Sequence, residues 1–485
     1  MDIKFEKKEL KKKSESISDW YTDVVLKAEL ADYGPVRGTM VIRPYGFAIW
    51  ENTQRVLDNW LKEYGVKNAY FPLFIPYSLL KKEKAHVEGF SPELALVTHG
   101  GGEKLPEPLV VRPTSETLMY EMYSKWITSW RDLPLVINQW NNVVRWEKRT
   151  YLFLRTLEFL WQEGHGAHAT SEDSEKLVMK ALDWYWQVYQ DYFAIDTIKG
   201  QKSDKEKFAG AVATYAVEAL MPDGKALQGA TSHDLGQNFS KAQEIVFQDK
   251  EGATQYVWQN SWGFTTRALG ALVLAHGDDN GLVLPPKIAP IKAVIIPILG
   301  KRDEKILKYC QKVKEEIVKS KSVFPGDVEI WDDTEKSYGW KVNEAEIKGI
   351  PIRISVGTRE LDERTVSLGF RIEGIDQKMA KLAGLGEVTD GLLLKIQQVM
   401  LEKSKKHLNE NTKEVETYQE FKETMKSTRG FIKAFWCEEA VCETKIKEET
   451  KATVRVRPLE AKKETGKCIY CDKPAEYRWY FAQAY

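Results

Sequence analysis

The stretch Val143 to His165, VVRWEKRTYLFLRTLEFLWQEGH, concentrates side chains able to do chemistry. Read as two strands joined by a short loop, it puts Val143, Arg145 and Glu147 on one side of the first strand, by a period of two. Arg155, Leu157, Phe159, Trp161 and Glu163 share a side of the second. Guanidinium and carboxylate groups are rarely buried without partners, so such a face suits a pocket better than a plain core. Arginine forks onto phosphate oxygens, and an aromatic face stacks on a flat base. The chemistry implied is capture of a polyanion that carries a base.

Other segments must position that face. Ile49, Val56, Leu57, Trp60 and Leu61 recur at helical spacing and predict a helix from about Gly46 to Tyr64, followed by a strand from Asn68 to Pro76. Leu109 to Thr117 alternates as a strand with Arg112, Thr114 and Glu116 on one side. Val97 to Leu105 is Gly-rich but lacks P-loop spacing. Residues 172 to 198 read as a helix whose Trp and Tyr form a core stripe. Ala226 to Ser240 reads as a hydroxyl-rich turn of small residues, with Gln228, Thr231, Ser232 and His233 in a pocket wall. Trp258 to His276 reads as a strand entering a helix with Arg267 in its first turn. Free N–H groups make a helix start a natural phosphate site.

Composition bounds the rest. A chain of 485 residues suggests about three domains, expected at 1–287, 288–388 and 389–485. From Ile288 strands and helices alternate: Ala293 to Pro297, Glu304 to Ser320, Val328 to Trp331, a helix after Gly339, Ile350 to Val356 and Val366 to Ile372. The fold class is therefore α/β and multidomain. Lys+Arg and Asp+Glu both total 71, so any RNA contact must come from local patches rather than a global basic field. No run of 18 apolar residues suggests a membrane span. The opening MDIKFEKKELKKK has no apolar core and is not a secretory signal; its Lys4 to Lys13 cluster reads as a solvated helix start. A cytoplasmic protein is expected. Cys437-x4-Cys442 and Cys468-x2-Cys471, with 25 residues between the pairs, match four thiolates around structural Zn²⁺. A disulfide pair is the alternative, disfavoured in a reducing compartment. Cys310 lies outside this set and is expected to be a buried helix residue.

Arg145-Trp-Glu147, a loop, then Arg155 and Phe159 resembles motif 2 of the class II aminoacyl-tRNA synthetases. Arg112-Pro-Thr-Ser-Glu116-Thr and Phe-Leu-Arg155-Thr-Leu-Glu-Phe159-Leu-Trp161-Gln-Glu-Gly resemble the prolyl-tRNA synthetases, nearest their archaeal and eukaryotic-like branch. The likeness spans nearly the whole chain. The helix ending at Tyr64, with the strand and Pro72 after it, resembles motif 1, which implies a homodimer; Asn260-Ser-Trp-Gly-x-Thr-Thr-Arg267 resembles motif 3.

That resemblance implies an antiparallel class II sheet flanked by helices, an α/β anticodon-binding domain and a small α+β C-terminal zinc-binding domain. It implies attachment of L-proline to tRNA(Pro) through a prolyl-adenylate, with ATP and Mg²⁺. By residue matching, Arg145 and Arg267 are the catalytic arginines. Thr114, Glu116, Arg145, Trp161, Phe208 and His233 would bind proline. Arg145, Glu147, Arg155, Phe159, Gln228, Thr231 and Arg267 would bind ATP. Glu346 and Arg353 would read the anticodon, and Cys437, Cys442, Cys468 and Cys471 would hold zinc. The final Tyr485 would tuck toward the catalytic domain. Bacterial-type relatives carry an editing domain between motifs 2 and 3. Only about 90 residues lie there in this chain, too few for a further domain. The sister enzyme for threonine uses a catalytic-domain zinc with a cysteine ligand, and no Cys precedes Cys310.

Overall fold

The computed structural model describes residues 9–81, 94–298 and 303–485; Lys4 to Lys8 of the N-terminal lysine cluster lie outside them. Apolar alternation builds one large sheet of 11 strands. Its order from one edge is Thr412–Glu414, Phe431–Phe435, Arg478–Ala482, Thr453–Pro458, Thr197–Gln201, Ala213–Leu220, Ala226–Gly236, Trp258–Thr265, Glu158–His168, Leu135–Val144 and Lys67–Asn68. Only the outermost pair at each edge is parallel. The C-terminal strands thus extend the central sheet. At that joint Arg457 pairs with Gln201 and Pro458 with Gly200. A Cβ on Gly200 would lie 2.3 Å from the Arg457 carbonyl oxygen, so the approach requires glycine.

One face of this sheet is the main core. Helix Ser171–Gln187 lies across it, capped by Thr170, whose side chain accepts from the Asp173 N–H. Trp184 meets Trp262 edge-on at 6.1 Å, and Tyr185 stacks on Phe264 at 5.7 Å. The expected helix over 172–198 ends instead as one π-turn, Val188–Tyr192. Helix Pro44–Tyr64 starts with Pro at its first turn and ends on Gly65 in the left-handed region. It buries Ile49, Trp50, Leu57 and Leu61 on one stripe. Each such side chain contributes roughly 1.5–3 kcal/mol on burial. The strand expected from Asn68 to Pro76 divides into Lys67–Asn68, on the large sheet, and Phe74–Pro76, on a separate three-stranded sheet. Pro72 cannot donate to a ladder, and the chain changes sheets around it.

Beyond residue 290 a five-stranded sheet runs Val328–Ile330, Ala293–Pro297, Ile352–Val356, Thr365–Phe370 and Met379–Lys381. Its first three strands are parallel, and Ala293–Pro297 is buried throughout. Cys310 is buried in helix Glu304–Ile317. Helix Leu385–Glu410 runs on across residue 388 and carries Gln397 back to the first unit, where its Nε2 donates to the Asp191 carbonyl at 2.9 Å. Arg371 Nη1 donates to Asp278 Oδ2 at 2.8 Å across the same junction. A third core, with Phe421, Trp436, Trp479 and Phe481, closes the C-terminal unit. Tyr485 N donates to the Ala226 carbonyl at 3.2 Å, and its side chain packs against the main core. No helix among the described residues is long and apolar enough to cross a membrane.

Candidate active site

The other face of the sheet is hollow, and strand register explains which side chains line it. Gln139 stands opposite Glu163, and Asn141 opposite Trp161. Glu163 is opposite Gly263, and His165 opposite Ser261, on the next strand. Ser261 is opposite His233, and Gly263 opposite Thr231, on the strand beyond. Phe159, Trp161, Glu163, His165, Thr231 and His233 therefore share one face. Gln162, Trp262 and Phe264 alternate toward the helix side; Trp262 lies where a Cβ on Gly164 would be. The result is a cavity of about 370 Å³.

Every residue expected to meet proline or nucleotide lines this one cavity: Thr114, Glu116, Arg145, Glu147, Arg155, Phe159, Trp161, Phe208, Gln228, Thr231, His233 and Arg267. Several reach it from elements other than those expected. The motif 2 ladder ends at Val144 opposite Glu158, so Arg145, Glu147 and Arg155 lie in the connection rather than on strands. Arg145 N still donates to the Leu157 carbonyl at 2.8 Å, after which the two arms separate. The wider loop lets charged groups reach inward without stacking on neighbouring rungs. Thr114 and Glu116 are not on a continued strand either. The strand ends at Val111 and Glu116 starts helix Glu116–Trp126, where N-terminal N–H groups favour a carboxylate. Residues 226–236 form a strand, not a turn, so His233 is held at a fixed register.

The cations come from separate places. Arg145 Nε donates to the Pro113 carbonyl at 3.2 Å, and its guanidinium stands 5.5 Å from the ring centres of both Phe159 and Trp161. Arg155 faces Glu147 at 3.7 Å. Arg267 opens helix Arg267–His276, and its Nε donates to the Leu154 carbonyl at 3.0 Å. Burial, then the Arg155 charge, lowers the pKa of Arg267, which makes it receptive to an anion.

Sequence reading placed Glu163 on the cavity side but gave it no role. It is a hub. Burial opposes its charge, but hydrogen bonding and charge from His165, with Ser115, hold its pKa down to about 2. Thr114 Oγ1 donates to it at 3.2 Å, Ser115 N at 3.0 Å and Asn141 Nδ2 at 2.7 Å. His165 Nδ1 is 4.0 Å from the buried Glu116 carboxylate. Extending the period of two by one step would have found His165. Lys202 and Glu206 also line the cavity, and no local pattern marks them. His233 is pushed down to about 3 by burial and by the charges of His165, Lys202 and Arg145. It is a neutral ring, packed 4.8 Å from Phe208 and hydrogen-bonded to Thr214 Oγ1 at 2.9 Å.

The two other predicted sets also assemble. Arg353 Nη1 donates to Glu346 Oε1 at 3.2 Å, both side chains being half-buried. The Sγ atoms of Cys437, Cys442, Cys468 and Cys471 all lie within 4.8 Å of one another. Cys437 is 3.6 Å from Cys442 and 3.7 Å from Cys471, too far for a disulfide. Four thiolates about 2.3 Å from one tetrahedral ion stand about 3.8 Å apart, so the donor set fits zinc.

Three known domains match in the same order. The tRNA synthetase class II core domain (G, H, P, S and T) matches 102–276, an anticodon binding domain 292–389, and the prolyl-tRNA synthetase C-terminal domain 418–485. A proline--tRNA ligase of Acetoanaerobium sticklandii is 48% identical over 478 residues, covering 99% of this chain and 98% of the relative. One from Chlorobium phaeovibrioides is 51% identical over 476 residues, covering 96% and 98%. The prolyl-tRNA synthetase of Cryptosporidium parvum, solved with halofuginone and AMPPNP, superposes with a TM-score of 0.93 at 41% identity, covering 98% of this chain and 99% of that one. Solved with L-proline and AMP, it gives 0.92 at 39%, covering 98% and 96%. With the motifs, the cavity and these relatives in agreement, the chain belongs to the prolyl-tRNA synthetase family of class II aminoacyl-tRNA synthetases.

Proposed function

We propose that the protein attaches L-proline to tRNA(Pro) in two steps that consume ATP. The observation that carries this is the convergence of Arg145, Arg155 and Arg267 on one cavity with Glu116, Glu163, Phe208 and His233. The ligands of the Cryptosporidium relative, an ATP analogue, AMP and L-proline, are of the size and charge this cavity suits.

The proline carboxylate is ionised at neutral pH and attacks the α-phosphate of ATP, so the step needs no protein base. Pyrophosphate leaves and prolyl-adenylate remains. The terminal ribose hydroxyl of tRNA(Pro) then takes the prolyl group, giving up its proton as the prolyl–phosphate bond breaks and AMP departs. Rate comes from alignment and charge neutralisation. Arg145 takes the α-phosphate and the proline carboxylate. Glu147 accepts from the adenine amino group, and Phe159 stacks on its ring. Arg155 and Arg267 hold the outer phosphates beside Gln228 and Thr231. Mg²⁺ accompanies the nucleotide and would neutralise the phosphates further. Glu116 and the Thr114 oxygen accept from the two N–H groups of the prolinium ring, while Trp161, Phe208 and His233 enclose it. The neutral His233 suits an apolar ring better than an imidazolium would. Glu346 and Arg353 read the anticodon. Cys437, Cys442, Cys468 and Cys471 hold a structural zinc. The protein is read as a cytoplasmic homodimer of the archaeal and eukaryotic-like type.

Arg145→Ala is expected to lower proline-dependent exchange of pyrophosphate into ATP by about 10²–10³ or more, with the fold intact by circular dichroism. Near-normal exchange would refute the assignment. Residues 169–257 are taken up by the Ser171–Gln187 helix, strands of the sheet and a short hairpin, which supports the absence of an editing insertion. Binding discriminates small apolar differences by only about 10–200-fold, so alanine should be activated and its ester left unhydrolysed. Rapid deacylation of alanyl-tRNA(Pro) by the pure protein would overturn that reading.

A further inference from the structure

Behind the nucleotide wall lies a buried ionic chain that reaches the C-terminal unit. Glu218, on strand Ala213–Leu220, is completely buried. Arg455, 5% exposed on strand Thr453–Pro458, grips both its oxygens: Nε donates to Oε2 at 3.1 Å and Nη2 to Oε1 at 2.9 Å. Lys202 Nζ stands 3.8 Å from Glu218 Oε1 and donates to Gln228 Oε1 at 2.8 Å. Lys202 and Gln228 line the cavity.

The chemistry fixes a direction. An ammonium only donates, so Gln228 must turn its oxygen to Lys202 and leave its NH₂ for the cavity. A buried carboxylate without a close cation is costly. Arg455 satisfies both oxygens of Glu218 at once, and Lys202 is left to bond Gln228. Without Arg455, Glu218 would draw Lys202 the remaining distance and release the glutamine amide. Burial lowers the Lys202 pKa, and the Glu218 charge beside it opposes that shift. The same two units meet again at the loop before Phe208, where Ser203 Oγ donates to Glu443 Oε1 at 3.1 Å and Lys205 Nζ to Thr444 Oγ1 at 2.6 Å.

We propose that Arg455 is a positioning residue for the nucleotide: by occupying Glu218 it keeps Lys202 on Gln228, whose amide NH₂ then meets an oxygen of the bound nucleotide. This rests on the cavity being the ATP site. The test is proline-dependent pyrophosphate exchange by the full-length protein, with KM for ATP and for proline measured separately. Arg455→Met should raise KM for ATP about tenfold, the worth of one charge-assisted hydrogen bond, and move KM for proline less than about twofold. Adding Glu218→Gln should restore most of the ATP affinity, because the competing carboxylate is gone. Damage to packing alone would be deepened by the second substitution. Should Arg455→Met not fold, Arg455→Lys carries the test with the same selectivity and smaller amplitude. Absence of exchange in the wild type would sink the ATP reading. Normal wild-type exchange with an unchanged KM for ATP in the Arg455 variants, or no recovery in the double variant, would sink this proposal alone.

Discussion

Glu163 and His233 share one cavity wall and are tuned in opposite senses. Glu163 keeps its charge because donors converge on it, and its pKa falls to about 2. His233 loses its charge because burial and cations surround it, and its pKa falls to about 3. The histidine shift makes a stability prediction. An unfolded histidine takes its proton near pH 6.5, whereas folded His233 refuses it until about pH 3. Between those values the unfolded chain binds more protons, so stability rises with pH and is lost as pH falls through the window. His168 and His276, each lowered to about 4 chiefly by burial, act in the same sense. Replacing His233 by Asn should make urea-unfolding stability less steep near pH 5 by about 1.4 kcal/mol per pH unit, one proton's worth. An unchanged slope would mean that His233 carries its proton in the folded protein.

At the scale of elements, the segment after helix Pro44–Tyr64 leaves Tyr70 73% and Phe74 46% exposed. The motif 1 resemblance implies a two-fold interface here, and such an interface would cover these aromatics. Sedimentation is expected to give the mass of two chains, with Phe74→Glu shifting it toward one. A wild-type monomer at micromolar concentration would contradict the dimer. These elements were not equally legible from sequence. Helix Pro44–Tyr64 and the strand-to-helix passage at Arg267 could be read because a stripe of 3.6 and a run of strand residues are local signals. The motif 2 connection and the start of the helix at Glu116 could not. Both depend on where a ladder stops, which neighbouring strands decide. His233 looked like a turn residue because Gly229, Ala230, Thr231 and Ser232 are small. Gly229 is a glycine because the strand packs closely there: a Cβ on it would lie 2.6 Å from the Tyr189 ring. Lys202 and Arg455 meet only through chain topology, 253 positions apart in sequence numbering (455 − 202), and no window could join them.

At the scale of the whole molecule, the cysteine unit and the catalytic sheet are one hydrogen-bonded object, and this sets what metal loss should do. Cys437 follows strand Phe431–Phe435, Cys442 lies on helix Ala440–Thr450, and Cys468 and Cys471 flank the turn after Gly466–Lys467. A single ion would therefore pin three elements whose own core is small, a situation in which a metal supplies much of the folding energy. The strand that leaves this unit for the catalytic sheet carries Arg455, which grips Glu218, and pairs with strand Thr197–Gln201 at Arg457 and Pro458. Loosening the cysteine end of this strand should loosen the end that carries Arg455. Metal analysis is expected to find about one zinc per chain, and Cys468→Ser to lose it and lower the thermal midpoint. If Arg455 acts as proposed, that variant should also weaken ATP more than proline in pyrophosphate exchange, although Cys468 lies outside the cavity lining. A metal-free variant with the wild-type midpoint would show that the cluster holds nothing together. A lowered midpoint with both KM values unchanged would show that zinc supports its own unit alone and that the strand carrying Arg455 stays in place without it.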